Sequence, residues 1–184
     1  MLSVESASLG ELDALKIKAE VLLCRKINSN TLASLVNELD RPLRVCGVVL
    51  NTGEPGGGPF WVEIEEDGNK KISRQIVESA QVSESAEQQA LFSKGTHFNP
   101  VELFLALRDK EGKPYELSNY VDEASGFVVN KNYKGQALRA MERPGLWNGS
   151  MAFWNTLFVE IPAELFTPVK AVNDLLKKEH QVSN

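Results

Sequence analysis

The sequence predicts an α/β protein: a mixed sheet flanked by helices. Segments of helical period alternate with short segments rich in valine, isoleucine and phenylalanine. One pair of strand-like segments is joined by Asp67-Gly68-Asn69, a tight-turn signature. Hydrophobic residues at 42% and charged residues at 24% allow a core in a chain of 184 residues. The chain is read as one domain, or as the C-terminal portion of a larger one, with residues 1–40 a helical lead-in.

The first helix begins at a capping box, Ser8-Leu9-Gly10-Glu11, and continues through Leu12, Leu15, Ala19, Leu22 and Leu23 at helical spacing. A second runs from about Thr31 to Glu38, capped by Asn30, with Leu32, Leu35, Val36 and Leu39 on one face. Pro42 bars its continuation, and Leu43 to Leu50, rich in valine, reads as a buried strand. After a glycine-rich turn, Phe60 to Glu65 alternates apolar and polar as a half-exposed strand does, and Ile72 to Val82 returns beside it. Ser85 with Gln88 caps a helix that ends near Gly95.

Thr96 to Asn99 is a short extended piece, and Pro100 opens a helix over Val101 to Arg108. Residues 109–145 carry no clear period except Phe127-Val128-Val129, read as a strand. Thr156 to Ile161 is a further strand. Beyond Pro168 the pattern predicts a last helix with Val172, Leu175 and Leu176 turned inward and Lys177 and Lys178 at its C-terminal end.

The net charge of −5 provides no basic surface, so neither nucleic acid nor an anionic membrane is expected as a partner. Cys24 and Cys46 lack a close partner and zinc spacing, and are expected to be buried, reduced thiols. No signal-peptide pattern and no span-length apolar run is present, so a cytoplasmic location is expected.

Four places hold residues suited to chemistry. Asn51 to Val62 contains Gly56-Gly57-Gly58, whose uncovered backbone lets a ligand approach closely; a wide inter-strand turn is the plainer reading. The stretch is neither a Walker loop nor a dinucleotide fingerprint. His97 ends an extended segment beside Asn99, where a sheet presents ligands, although a structural histidine is the commoner case. Glu78 stands in an otherwise apolar strand and needs a partner, such as sugar hydroxyls, unless it faces water. Lys170 precedes the last helix, positioned for a phosphate or simply for solvent. No Ser/His/Asp arrangement and no metal-ligand spacing is legible.

Three segments occur in a familiar order: Ile76 to Val82, His97 to Phe104, and Phe166 to Leu176. They resemble the C-terminal half of the UTP–sugar-1-phosphate uridylyltransferases. Those enzymes carry a Leu-Glu-(Ile/Tyr)-(Ala/Ser)-(Gln/Glu) strand, a Phe-Asn-x-x-Asn segment and a Phe-x-Pro-(Val/Leu)-Lys stretch. From about Arg41 to Gln181 the chain also resembles an uncharacterised bacterial family known only as a domain of unknown function. That resemblance is carried by Arg44-Val45-Cys46-Gly47, Gly53 to Val62, Thr96 to Val101 and Pro144-Gly145-Leu146-Trp147-Asn148-Gly149.

The resemblance implies a nucleotide-diphospho-sugar transferase (GT-A-like) fold in which this chain supplies the sugar-phosphate side. It implies Gly56, Gly57, Gly58 and Glu78 as sugar-binding residues, joined by His97, Asn99 and Glu102. Glu102 departs from the family pattern, which has a second asparagine there. Lys170 is implied as the catalytic residue, neutralising phosphate charge. The family's N-terminal Gly-Gly-x-Gly-Thr-type loop and its Mg²⁺-holding aspartate do not appear in this sequence. The expectation is therefore either a truncated C-terminal half, whose missing N-terminal half would bring nucleotide and Mg²⁺, or a degenerate relative; in both cases the chain has no cofactor of its own and is inactive in nucleotidyl transfer by itself. The expected ligand is a sugar phosphate or nucleotide sugar. Two other readings are a non-catalytic small-molecule module, and a structural domain whose glycine loop packs on Trp61, Trp147 and Trp154.

Overall fold

The computed structural model describes residues 8–53, 56–66, 68–99, 102–169 and 171–181. Two helices, α1 (Leu9–Leu23) and α2 (Leu32–Leu39), precede strand β1 (Leu43–Val48). There follow β2 (Gly57–Glu66), β3 (Asn69–Glu78), helix α3 (Ala86–Phe92), β4 (Glu102–Ala106), β5 (Phe127–Tyr133), β6 (Gln136–Glu142) and β7 (Asn155–Glu160). Strands β4, β1 and β7 make a three-stranded sheet in that order, while β2–β3 and β5–β6 are separate antiparallel pairs.

The sheet is mixed. The Asn155 amide donates to the Pro42 carbonyl and the Ile161 amide to that of Val48, both at 2.9 Å, so β1 and β7 run the same way. Just past β1, an antiparallel bridge pairs Leu50 with His97. Together with the helices this is the mixed α/β arrangement that the alternating patterns predict.

The chain divides into two compact units. The first draws on residues up to 45 and on 104–157. Its core is Leu12, Ala19, Leu23, Ile27 and Leu35, with Leu32 and Leu43 packed against them. The capping box at Ser8 forms as read, the Ser8 amide donating to Glu11 at 2.9 Å. The cap of α2 is Thr31 rather than Asn30. Of the residues at helical spacing, Leu15 and Leu22 are exposed, and the buried stripe is the narrower set Leu12, Ala19 and Leu23. Cys24, expected buried, is exposed: it ends α1 in the left-handed conformation, whereas Cys46 on β1 has no exposed surface.

The second unit comprises 46–103 and 158 onward. It contains the β2–β3 hairpin, in which Glu66 pairs with Asn69 and Gly68 takes a positive φ of 72°. Asp67 lies outside the described residues. β3 ends at Glu78 and residues 79–81 form a 3₁₀ turn, so the expected strand stops short of Val82.

Two expected helices are absent from the described residues. Glu102–Ala106 is strand β4, because pairing beside β1 outweighs the local helical spacing of Leu103, Phe104 and Leu107. Pro100 and Val101 fall outside the described residues. The last helix is replaced by two short 3₁₀ turns, Val172–Leu176 and Lys178–His180. There Val172, Leu175 and Leu176 are exposed instead of inward, as a segment too short to hold an α-helix without a buried face would leave them.

Candidate functional site

Within the second unit the strand containing the glycine run and the extended segment around His97 border a hollow of about 230 Å³. Gly56, Gly57 and His97 line it, together with polar Asn51 and Ser79. Phe60 and Phe92 form its apolar wall, their rings stacked at 5.2 Å with an interplanar angle of 22°.

The glycine run is no free loop past Gly56. Gly57 and Gly58 begin β2, opposite Glu78 and Val77 of β3. A Cβ on Gly57 would lie 2.0 Å from the Val77 carbonyl oxygen, and one on Gly58 would lie 2.4 Å from that of His97. Backbone approaching from two sides leaves no room for a side chain, so close packing demands these glycines. The atoms nearest the Cβ positions of the three glycines belong to Phe98 and Asn99 at Gly56, to Val77 and Glu78 at Gly57, and to His97 and Phe60 at Gly58. Trp61 is exposed, with the Arg74 guanidinium 5.8 Å above its ring.

His97 is held at both ring nitrogens. Nδ1 lies 2.8 Å from the Thr96 hydroxyl and Nε2 lies 3.0 Å from Glu160 Oε2. The Phe98 amide donates to the Val49 carbonyl and the Asn51 amide to that of Thr96, which sets the segment beside residues 49–51. The Asn51 side chain accepts from the Gly53 amide at 2.9 Å, turning the chain toward Gly56.

The remaining expected site residues fall as follows. Glu78 is half-buried at the end of β3, directly opposite Gly57, and its amide donates to the Gln81 side chain at 2.9 Å. Its neighbour Ser79 lines the hollow, and the Ser79 amide donates to the Gly56 carbonyl. Asn99 reaches to 3.7 Å of the Cβ position on Gly56, and its Oδ1 is buried with no hydrogen-bond partner among the described residues. Glu102 is exposed at the start of β4, beside Gly47, and does not line the hollow. Lys170 lies outside the described residues. The third segment nevertheless joins the second: Phe166 packs on Phe98 with ring centroids 5.4 Å apart.

Glu160 and Thr96 are the residues that sequence reasoning missed. Glu160 ends a strand as an ordinary exposed carboxylate, and only its distance to His97 marks it. Among the described residues no three His, Cys, Asp or Glu side chains cluster closely enough to hold a metal ion. No helix among them is long and apolar enough to cross a membrane.

The chain is similar to solved structures of two variants of UDP-glucose pyrophosphorylase from Leishmania major, each in complex with UDP-glucose. For one, identity is 20% and TM-score 0.42, covering 82% of this chain and 33% of that chain. For the other, identity is 19% and TM-score 0.40, covering 84% and 34%. The chain thus spans about a third of the length of those enzymes. No curated protein matches the sequence. A family model does match, over residues 11–181, and the chain accordingly belongs to the family described as Domain of unknown function (DUF4301).

Proposed function

We propose that this chain is the sugar-phosphate-binding part of a nucleotidyltransferase-like protein, of the UTP–sugar-1-phosphate uridylyltransferase type. One observation carries the reading: segments far apart in sequence, each resembling a motif of those enzymes, converge in one unit. Gly57 stands opposite Glu78, Gly56 lies against Phe98 and Asn99, and Phe98 packs on Phe166. The hollow beside them is below the roughly 300–1,000 Å³ of sites that take drug-sized ligands, which suits one small polar ring rather than a whole nucleotide sugar. Phe60 and Phe92 suit the C–H face of such a ring, and Asn51, Ser79 and His97 suit its hydroxyls.

In this reading Gly56, Gly57, Gly58, Glu78, His97 and Asn99 form the sugar side and Lys170 neutralises the phosphate, while Glu102, which does not line the hollow, is left out. A cytoplasmic setting is part of the proposal. Isothermal titration with a panel of sugar 1-phosphates tests it. Weak binding is expected, reduced about tenfold by Glu78→Gln, which replaces a charged acceptor with a neutral one. Lys170→Ala should weaken phosphorylated sugars while leaving free sugars unchanged. Silence across the whole panel would retire the pocket assignment. Mixed with UTP, Mg²⁺ and glucose 1-phosphate, the chain alone should release no pyrophosphate.

A second reading, a domain without a ligand, is favoured by the glycines themselves. The carbonyls of Val77 and His97 account for Gly57 and Gly58 with no ligand present. Titration separates the two readings.

A further inference from the structure

Thr96, His97 and Glu160 form a chain of hydroxyl, imidazole and carboxylate at the edge of the hollow. An ionised carboxylate only accepts hydrogen bonds, so Glu160 obliges Nε2 to carry a proton. Nδ1 is then the ring position that gains or loses one, and it faces the Thr96 hydroxyl at 2.8 Å. With a neutral ring, Nδ1 is an acceptor and Thr96 must spend its only proton on it. With a charged ring, Nδ1–H donates to Thr96 Oγ1, and the threonine proton is released to point elsewhere.

We propose that Thr96 is a ligand-binding hydroxyl of this site, that it donates to an oxygen of a bound phosphate monoester when His97 is protonated, and that Glu160 is the residue that positions the imidazole for this exchange. The inference rests on the sugar-phosphate reading. Thr96 lies exposed between Gly95 and His97, both of which line the hollow. Among the described residues, the side chains hydrogen-bonded to the ring are those of Thr96 from its own segment and Glu160 from β7. The other elements around it present Asn51, Gly56, Phe60, Ser79 and Phe92 to the hollow, none of them titratable. Glu78 and Lys94 are charged neighbours in sequence of lining residues, and Lys170 lies outside the described residues. Among the lining residues His97 is therefore the one titratable side chain.

The test is titration of the full chain with glucose 1-phosphate and with glucose at pH 5.5 and pH 8. The phosphate itself loses its second proton near pH 6, so the effect of pH is read against the Thr96→Val variant, which meets the same ligand. Glucose 1-phosphate should bind about tenfold more weakly at pH 8, as befits one lost charge-assisted hydrogen bond, while glucose should change little. Thr96→Val, a near-isosteric change at an exposed site, should abolish the pH effect and leave the circular dichroism spectrum as it was. Glu160→Gln should reduce it, because an amide accepts or donates and no longer dictates which nitrogen is protonated. With only two histidines in the chain, ring ¹⁵N shifts give a second readout: neutral His97 should carry its proton on Nε2 in the native protein. Binding of glucose 1-phosphate without pH dependence, pH dependence retained in Thr96→Val, or a neutral ring protonated on Nδ1 would each overturn the inference while the wider reading stands. Failure of both ligands to bind at either pH would overturn that reading and this inference together.

Discussion

Asn155 shows how much one side chain can tie together. Its amide nitrogen donates to the carbonyls of Glu38 and Leu39 at 3.1 and 3.2 Å, satisfying orphan acceptors at the end of α2. Its Oδ1 accepts from Arg25, which also pairs with Glu38 at 2.9 Å. Asn155→Leu strips the buried donor and acceptor at once and should cost about 1–3 kcal/mol, read by urea denaturation. Gly57→Ala meets harder sterics, since its Cβ would sit 2.0 Å from a carbonyl oxygen. It should destabilise by more than about 2 kcal/mol, and any loss of ligand binding would follow loss of fold. Substituting Ser79, which is exposed on the same hollow, should leave the melting temperature within about a degree or two. The glycine run was legible as a feature. Its cause was not, because the two carbonyls that exclude side chains belong to segments about 20 and 40 residues away.

Among the elements, the β5–β6 hairpin is the instructive omission. Tyr133 pairs with Gln136, and the intervening Lys134 and Gly135 both take positive φ, 51° and 82°, as a type I′ turn requires. Asn132 supports the turn, its Oδ1 accepting from the Gly135 amide at 2.8 Å. Lysine is an uncommon first residue for this turn, so the sequence signal that reveals an Asn-Gly hairpin is missing. Lys134→Asn should relieve the left-handed strain and stabilise the hairpin by about 0.5–1 kcal/mol, seen as slower amide exchange across β5 and β6. Where the turn chemistry was orthodox, as at Gly68-Asn69, or a cap was written out, as at Ser8 and Ser85, the elements form where the residues say they should. Substituting Ser8 by alanine should cost about 1 kcal/mol of helix stability.

At the scale of the whole molecule, pH reaches the fold through a tie between distant residues of the first unit. The Tyr115 hydroxyl donates to Asp40 at 2.7 Å and Lys110 approaches the same carboxylate at 3.3 Å. The Tyr115 hydrogen bond, with help from Lys110, holds the Asp40 carboxyl below the usual carboxylate range. Burial, then the Asp40 carboxylate, pushes the Tyr115 hydroxyl well above its ordinary value. A depressed acid contributes stability that is present above its unfolded pKa, near 4, and is lost as pH falls through the folded value. A raised tyrosine contributes stability that is present below about pH 10 and is lost as pH rises toward its folded value. Stability from this tie should therefore be level between about pH 5 and 9 and decline on both sides. Tyr115→Phe should remove the alkaline decline and cost about 1.5 kcal/mol at pH 7, with denaturant midpoints across pH as the measurement.

By itself the sequence determined the caps of α1 and α3, the alternation of β2 and the identity of the three motif-like segments. Each is written in residues within about four positions of one another, where capping hydrogen bonds and side-chain periodicity act. Only the tertiary structure decided that Glu102–Ala106 is a strand, that Cys24 faces water, and that Glu160 stands 3.0 Å from His97. Those outcomes depend on which remote backbone a segment pairs with and what that pairing buries. Competition among such long-range pairings outweighs the small preferences that neighbouring residues express.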